Sequence, residues 1–186
     1  MEKNPNKKIL LDADVISHFI ATGNIHTLFD ILEPYPAVIL DKVYAEISKL
    51  PKRKQLLDIW VDGTNLTIIP FPGDNEEINK EYADLKRRWR LIGNGERACM
   101  AVARHTNDII ASSNFKDIEP FCNLHDIEFL GTIDLLSIAL KKGILSVEEC
   151  NDFIVDARRE NNARFPKHVK VIGDYKCTKL NLFGLK

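Results

Sequence analysis

The stretch Ile9-Leu10-Leu11-Asp12-Ala13-Asp14-Val15-Ile16 sets two carboxylates just past a short apolar run. An ionised carboxylate buried without a partner is very costly, so two of them at the end of a buried run point to a counter-charge. In an open α/β sheet, ligands bind in the crevice outside the carboxyl ends of the strands. The pair therefore reads as one wall of an acidic pocket for a hard cation. Two further acids lie in apolar surroundings: Glu46, in Val43-Tyr44-Ala45-Glu46-Ile47, and Glu96, which opens Glu96-Arg97-Ala98-Cys99-Met100-Ala101. Each has a plainer reading by itself. Glu46 alone is a solvated helix residue, and Glu96 alone is a first-turn acid favoured by the helix dipole. Together, Asp12, Glu46 and Glu96 come from three elements, each beside a predicted strand end or helix start. An all-oxygen donor set without His or Cys suits Mg²⁺ or Mn²⁺ rather than zinc. Ions held this way polarise a phosphoryl oxygen, activate a water and stabilise the leaving oxygen in phosphodiester cleavage.

Short apolar runs alternate with longer amphipathic stretches and must position these acids. Strands are expected over Lys8–Leu11, Ala37–Leu40, Leu66–Pro70, Asp108–Ser112 and Glu128–Leu130. Helices are expected over about Val15–Leu32, Asp41–Ile59 with a break at Pro51, Glu76–Leu91, Glu96–His105 and Phe115–Leu124. Alternation of this kind is the signature of βαβ units and a parallel sheet. Asp41 reads as the N-cap of its helix and not as a ligand. A helix from Thr132 stops at Gly143, and Ser146-Val147-Glu148-Glu149 caps a last one running to about Glu160. The expectation is one α/β domain over residues 1–164. His168–Ile172 reads as an edge strand, and residues 165–186 as that strand or a tail.

Composition restricts the function classes. A formal charge of −1 argues against a protein held to nucleic acid by bulk charge alone, and leaves room for a local basic patch. Cys99, Cys122, Cys150 and Cys177 form no CxxC or Cys/His cluster, so zinc-site spacing is absent. Free thiols in a reducing, cytoplasmic setting are expected. No apolar run has the ~20 residues needed to span a bilayer, so no membrane association is expected. The opening Met-Glu-Lys-Asn-Pro-Asn-Lys-Lys lacks the apolar core of a signal peptide.

Four ordered segments resemble the PIN-domain ribonucleases, in particular the toxin-type VapC-like members. Leu10-Leu11-Asp12-Ala13-Asp14-Val15-Ile16 is similar to the family's opening strand and first acid. Val43-Tyr44-Ala45-Glu46-Ile47 is similar to the helix bearing the second. Gly93-Asn94-Gly95-Glu96-Arg97-Ala98 resembles the motif supplying the third, and Ile109-Ile110-Ala111-Ser112-Ser113-Asn114-Phe115-Lys116-Asp117 the fourth strand and its polar turn. The likeness spans about residues 8–150. It implies a three-layer α/β/α sandwich around a parallel sheet, with the first and fourth strands adjacent. It also implies a Mg²⁺- or Mn²⁺-dependent endoribonuclease. Asp12 and Glu96 would be the principal ligands, with Asp14 as a further metal ligand and Glu46 and Asp117 in the catalytic set. An RNA substrate, an antitoxin protein and a homodimer are implied by the resemblance alone. The chain departs from the pattern at Asn114, where the family usually has Asp. Asp117 then either reaches the site or sits on the first turn of the following helix, and Asp14 offers a replacement charge.

Ser112, ending a strand beside Asn114, is the best-placed supporting hydroxyl, ahead of Ser17 and Thr132. Lys86-Arg87-Arg88-Trp89-Arg90 is the densest basic run. Arg87, Arg88 and Arg90 read either as contacts to RNA phosphates, with Trp89 stacking a base, or as a solvated face with Trp89 on the core. Arg158, Arg159 and Arg164 form a second basic group facing RNA, a protein or neighbouring acids. The five histidines have no mutual ligand spacing and receive no role. Two other readings stay open: a catalytically impaired RNA- or protein-binding module, and acids held in structural salt bridges with Arg97, Lys42 or Arg104.

Overall fold

A computed structural model describes residues 7–64, 66–89 and 92–186. The chain is an α/β protein with a five-stranded, wholly parallel sheet. Its strands are β1 (Ile9–Leu11), β2 (Ala37–Leu40), β3 (Thr67–Ile69), β4 (Ile109–Ala111) and β5 (Phe129–Leu130), in spatial order β3-β2-β1-β4-β5. β1, β2, β4 and β5 are buried throughout, as expected of parallel strands covered on both faces. The helices are α1 (Ala13–Ala21), α2 (Leu28–Leu32), α3 (Asp41–Ile47), α4 (Pro51–Gly63), α5 (Glu76–Arg88), α6 (Asn94–Thr106), α7 (Phe115–His125), α8 (Thr132–Lys142) and α9 (Val147–Asn161).

Strand order fixes the layers. From β1 the chain steps one way to β2 and β3, then returns across the sheet to β4 and β5. Right-handed crossovers in opposite directions put their helices on opposite faces. Accordingly α6 packs on β1, β2 and β4 with α5 and α7 beside it, while α1, α2, α8 and α9 pack together as the other layer. The connections of β1 and β4 leave in opposite directions, so a crevice opens between these neighbours at their carboxyl ends. Leu11 is in register with Ala111, and the Asp12 N–H continues the ladder to the Ala111 carbonyl at 2.9 Å.

Three local expectations are corrected. The long helix over Val15–Leu32 is broken: Gly23 adopts φ +72°, and a 3₁₀ turn at Ile25–Thr27 leads into α2. Leu40, not Asp41, is the N-cap of α3; Asp41 is the first helical residue, and its Oδ1 accepts the Phe71 N–H at 3.0 Å. No edge strand forms over His168–Ile172. That stretch follows a turn, and 3₁₀ segments at Ile172–Asp174 and Leu180–Phe183 carry the chain over the α8–α9 side. Val169, Ile172 and Phe183 are buried there. Tyr175 Oη donates to Asp134 Oδ1 at 2.7 Å, and Tyr35 Oη donates to the Leu182 carbonyl at 2.9 Å. No described helix is long and apolar enough to cross a membrane.

Candidate active site

Asp12 leaves β1 as the N-cap of α1, which buries it at 4% exposure where strand and helix meet. Its Oδ1 accepts the Ala13 N–H at 2.8 Å, and its Oδ2 accepts from Ser112 Oγ at 2.9 Å. The second bond follows from register, since Ser112 leaves β4 directly beside it. Burial pushes the Asp12 carboxyl up to about 7, and the charges of Asp14 and Glu46 add to that.

Glu96 sits in the first turn of α6 at 6% exposure. Its Oε2 accepts from Asn114 Nδ2 at 3.2 Å, and its Oε1 is buried without any hydrogen-bond partner. The Asn114 amide also donates to Asp117 Oδ2 at 2.7 Å, and the Asn114 N–H reaches Ser112 Oγ at 3.2 Å. One asparagine thus ties two carboxylates together and links them to the serine that holds Asp12. Asp117 lies in the first turn of α7, and its carboxylate accepts the Asn114 amide there. Burial, followed by the charge of Asp12, pushes Glu96 up to about 8, with Asp117 and Asp14 adding to it and the Asn114 bond opposing.

The Gly93 N-cap and the first residues of α6, Asn94 and Gly95, leave room for Glu46. A Cβ at Gly93 would stand 2.8 Å from Glu46 Oε1, and one at Gly95 would stand 2.9 Å from Glu46 Oε2 and 3.0 Å from the Val43 backbone. The glycines therefore let the carboxylate of α3 lie against the start of α6, beside Glu96. Asp12, Glu96 and Glu46 all raise the buried Cys99 thiol, after the larger effect of burial, so the three acids share one neighbourhood. Asp14 is exposed as a residue, yet surrounding protein raises its carboxyl, with Glu46 contributing and Arg164 and Arg53 opposing.

None of these acids has a salt-bridge partner among the described residues. The basic side chains that sequence offered as partners are engaged elsewhere. Arg97 Nε donates to the Gly93 carbonyl, Lys42 lies over the Phe71 and Tyr82 rings, and Arg104 pairs with Glu81. Among the described residues, no three Asp, Glu, His or Cys side chains converge into a ready metal cage.

The basic run begins in the last turn of α5. Arg87 and Arg88 pair with Asp84 of their own helix, and Trp89 meets Phe121 edge-on at 5.9 Å, half-buried. Arg90 lies outside the described residues. The second basic group divides: Arg158 donates to the Val169 carbonyl at 2.6 Å, Arg159 pairs with Asp156 and Glu160, and Arg164 lines a cavity with Asp14 and Asn114.

Sequence reasoning missed Arg53 and His18, which line that cavity too. His18 is buried, with Nδ1 2.9 Å from Thr132 Oγ1, which lies 2.5 Å from Ser113 Oγ. Burial and the charge of Arg53 bring its pKa down to about 4. The spacing of Asp14 and His18, four residues apart on one helix, was a legible signal that they share a face. Arg53 carried no such signal. No protein-family model matches the chain, and no curated protein was found to match it.

Proposed function

We propose that the chain is a divalent-cation-dependent endoribonuclease of PIN-like, VapC-like type. The observation that carries this reading is the pair Asp12 and Glu96, both buried and both raised first by burial, without a salt-bridge partner among the described residues, and including the orphaned Glu96 Oε1. The donor set fits a hard cation, being carboxylate oxygen throughout. Asp12 and Glu96 would hold Mg²⁺ or Mn²⁺, with Asp14, Glu46 and Asp117 adding negative charge. When bound, such an ion supplies Lewis acidity at a phosphoryl oxygen. Ser112 orients Asp12 through its hydroxyl, and Asn114 holds Glu96 and Asp117 at a fixed spacing. Asn114 brings no charge of its own, and Asp117, in the first turn of α7, would supply one beside it.

An antitoxin protein, a homodimer and a cytoplasmic setting belong to this reading through the resemblance alone. The test is cleavage of a mixed RNA pool in Mn²⁺. Asp12→Asn and Glu96→Gln should each lower the rate by about a hundredfold or more. Full activity in both variants would sink the assignment.

A second reading has its own observation. The acids do not converge as a cage, and the Asn114 amide already bonds two of them. A binding module without catalysis follows if Mn²⁺ titration by calorimetry gives no heat. Saturable binding that is lost in Glu96→Gln favours the nuclease.

A further inference from the structure

Two cavities open beside the acidic cluster, and Ser113, Asn114 and Arg164 line both of them. They therefore form one track past Asn114. The smaller, about 300 Å³, holds Arg53, Arg164 and the amides of Asn161 and Asn162 alongside Asp14. The larger, about 630 Å³, has the rings of Phe115, Phe165 and Tyr175 in its walls, together with Lys116, Asp117 and Glu119. The two ends differ in chemistry: the smaller has two arginines and two amides against one acid, and the larger has aromatic rings, with the charge of Lys116 and Arg164 matched by Asp117 and Glu119.

Arg164 is exposed and has no hydrogen-bond or ion-pair partner among the described residues. Arg53 donates to Asn161 Oδ1 from one guanidinium nitrogen, which fixes its position and leaves other N–H groups for a ligand. Two arginines facing one cavity outweigh the single charge of Asp14 within it. Phe165 is itself braced, 5.4 Å from the Arg158 guanidinium and 5.9 Å from the His18 ring, so its wall is preformed. The Tyr175 hydroxyl is tied to Asp134, which fixes its ring in the wall of the same cavity.

We propose that this track binds single-stranded RNA, with a backbone phosphate at Arg53 and Arg164 and one unstacked base against Phe165 and Tyr175. The choice of RNA rests on the ribonuclease reading. The strandedness does not, since a base can enter an aromatic pocket only when it is free of a duplex. The track would hold the polymer next to carboxylates that by themselves repel it.

The test is fluorescence anisotropy with a short, end-labelled single-stranded RNA of mixed sequence, in chelator so that nothing is cut, over a salt series. The full chain should bind the strand about tenfold or more tighter than the same sequence in duplex. Arg164→Ala should weaken binding by about fivefold or more and lower the slope of log K against log salt by roughly 0.7, the share of one phosphate on a single strand. Phe165→Leu should weaken binding by about fivefold without changing that slope. Unchanged melting curves for both variants exclude a folding defect. Equal affinity for duplex, or an Arg164→Ala variant with wild-type affinity and slope, would overturn the proposal. The two readings separate cleanly. If RNA is cut in Mn²⁺ while Arg164→Ala binds as wild type, the track alone fails. If the strand binds through Arg164 while no RNA is cut, the track stands and the nuclease reading fails.

Discussion

Glu96 Oε1 is a buried acceptor without a hydrogen-bond partner among the described residues, and burial, then the charge of Asp12, raises the cost of ionising Glu96, as burial, Asp14 and Glu46 do for Asp12. In metal-free protein, Asp12 holds its proton to about pH 7 and Glu96 to about pH 8, whereas in an unfolded chain both release it near pH 4. Between about pH 4 and pH 8 the folded state carries more protons than the unfolded one, so these groups make stability fall as pH rises. His18 works the other way, because its lowered pKa removes stability as pH falls from 6.5 towards about 4. Comparing variants that keep His18 isolates the acids. Glu96→Gln in chelator should be more stable than wild type by about 1–3 kcal/mol near pH 8.5, with the gain gone near pH 4. Urea denaturation at both pH values measures it. A gain of equal size at both would show that the side chain acts through packing and not through charge.

At the scale of elements, the approach of α3 to α6 depends on what Gly93 and Gly95 lack. Gly95 is the second residue of α6, where alanine is intrinsically better by at most about 1 kcal/mol, so propensity alone favours Gly95→Ala. A methyl there would meet Glu46 Oε2 and the Val43 backbone, and backbone cannot turn aside as a flexible side chain can. The expected outcome is a loss of about 1–3 kcal/mol in thermal unfolding, despite the propensity gain. A variant as stable as wild type would mean that α3 stands further off than 2.9 Å implies. A Gly-x-Gly motif beside an acidic helix start was legible in the sequence, although the helix already begins at Asn94. That its purpose is to admit a carboxylate from another helix was not, because the contact spans about fifty residues of chain.

Over the whole molecule, the last twenty-two residues act as a clasp across α8 and α9 rather than as a sixth strand. Their apolar positions Val169, Ile172 and Phe183 are buried, and Lys179 pairs with Glu128 at 3.1 Å. Each buried apolar side chain contributes about 1.5–3 kcal/mol, so removing residues 165–186 should cost on the order of 5 kcal/mol. It should also bare Asp134, which is 2% exposed. Tyr175→Phe removes one bond to that carboxylate and should cost about 1.5–3 kcal/mol by itself, read as a lower denaturation midpoint with unchanged denaturant slope. If the truncated chain unfolds at the same midpoint as the full chain, the clasp contributes nothing to stability.

The sequence by itself determined the α/β class, the parallel sheet and the place of Asp12 at the end of β1. Periodicity and strand-end chemistry are local, and residues 8–16 or 93–101 display them without help from elsewhere. Only the tertiary structure decided how the acids are joined. The bridge from Asn114 to both Glu96 and Asp117, the seating of Glu46 against two glycines, and the assembly of Arg53, Asn161 and Arg164 around one cavity all connect residues far apart in the chain. It also decided against the edge strand at 168–172, where burial on α8 and α9 prevailed over local β propensity. Such pairings depend on which side of β1 each crossover returns to, and local residue patterns carry no record of that.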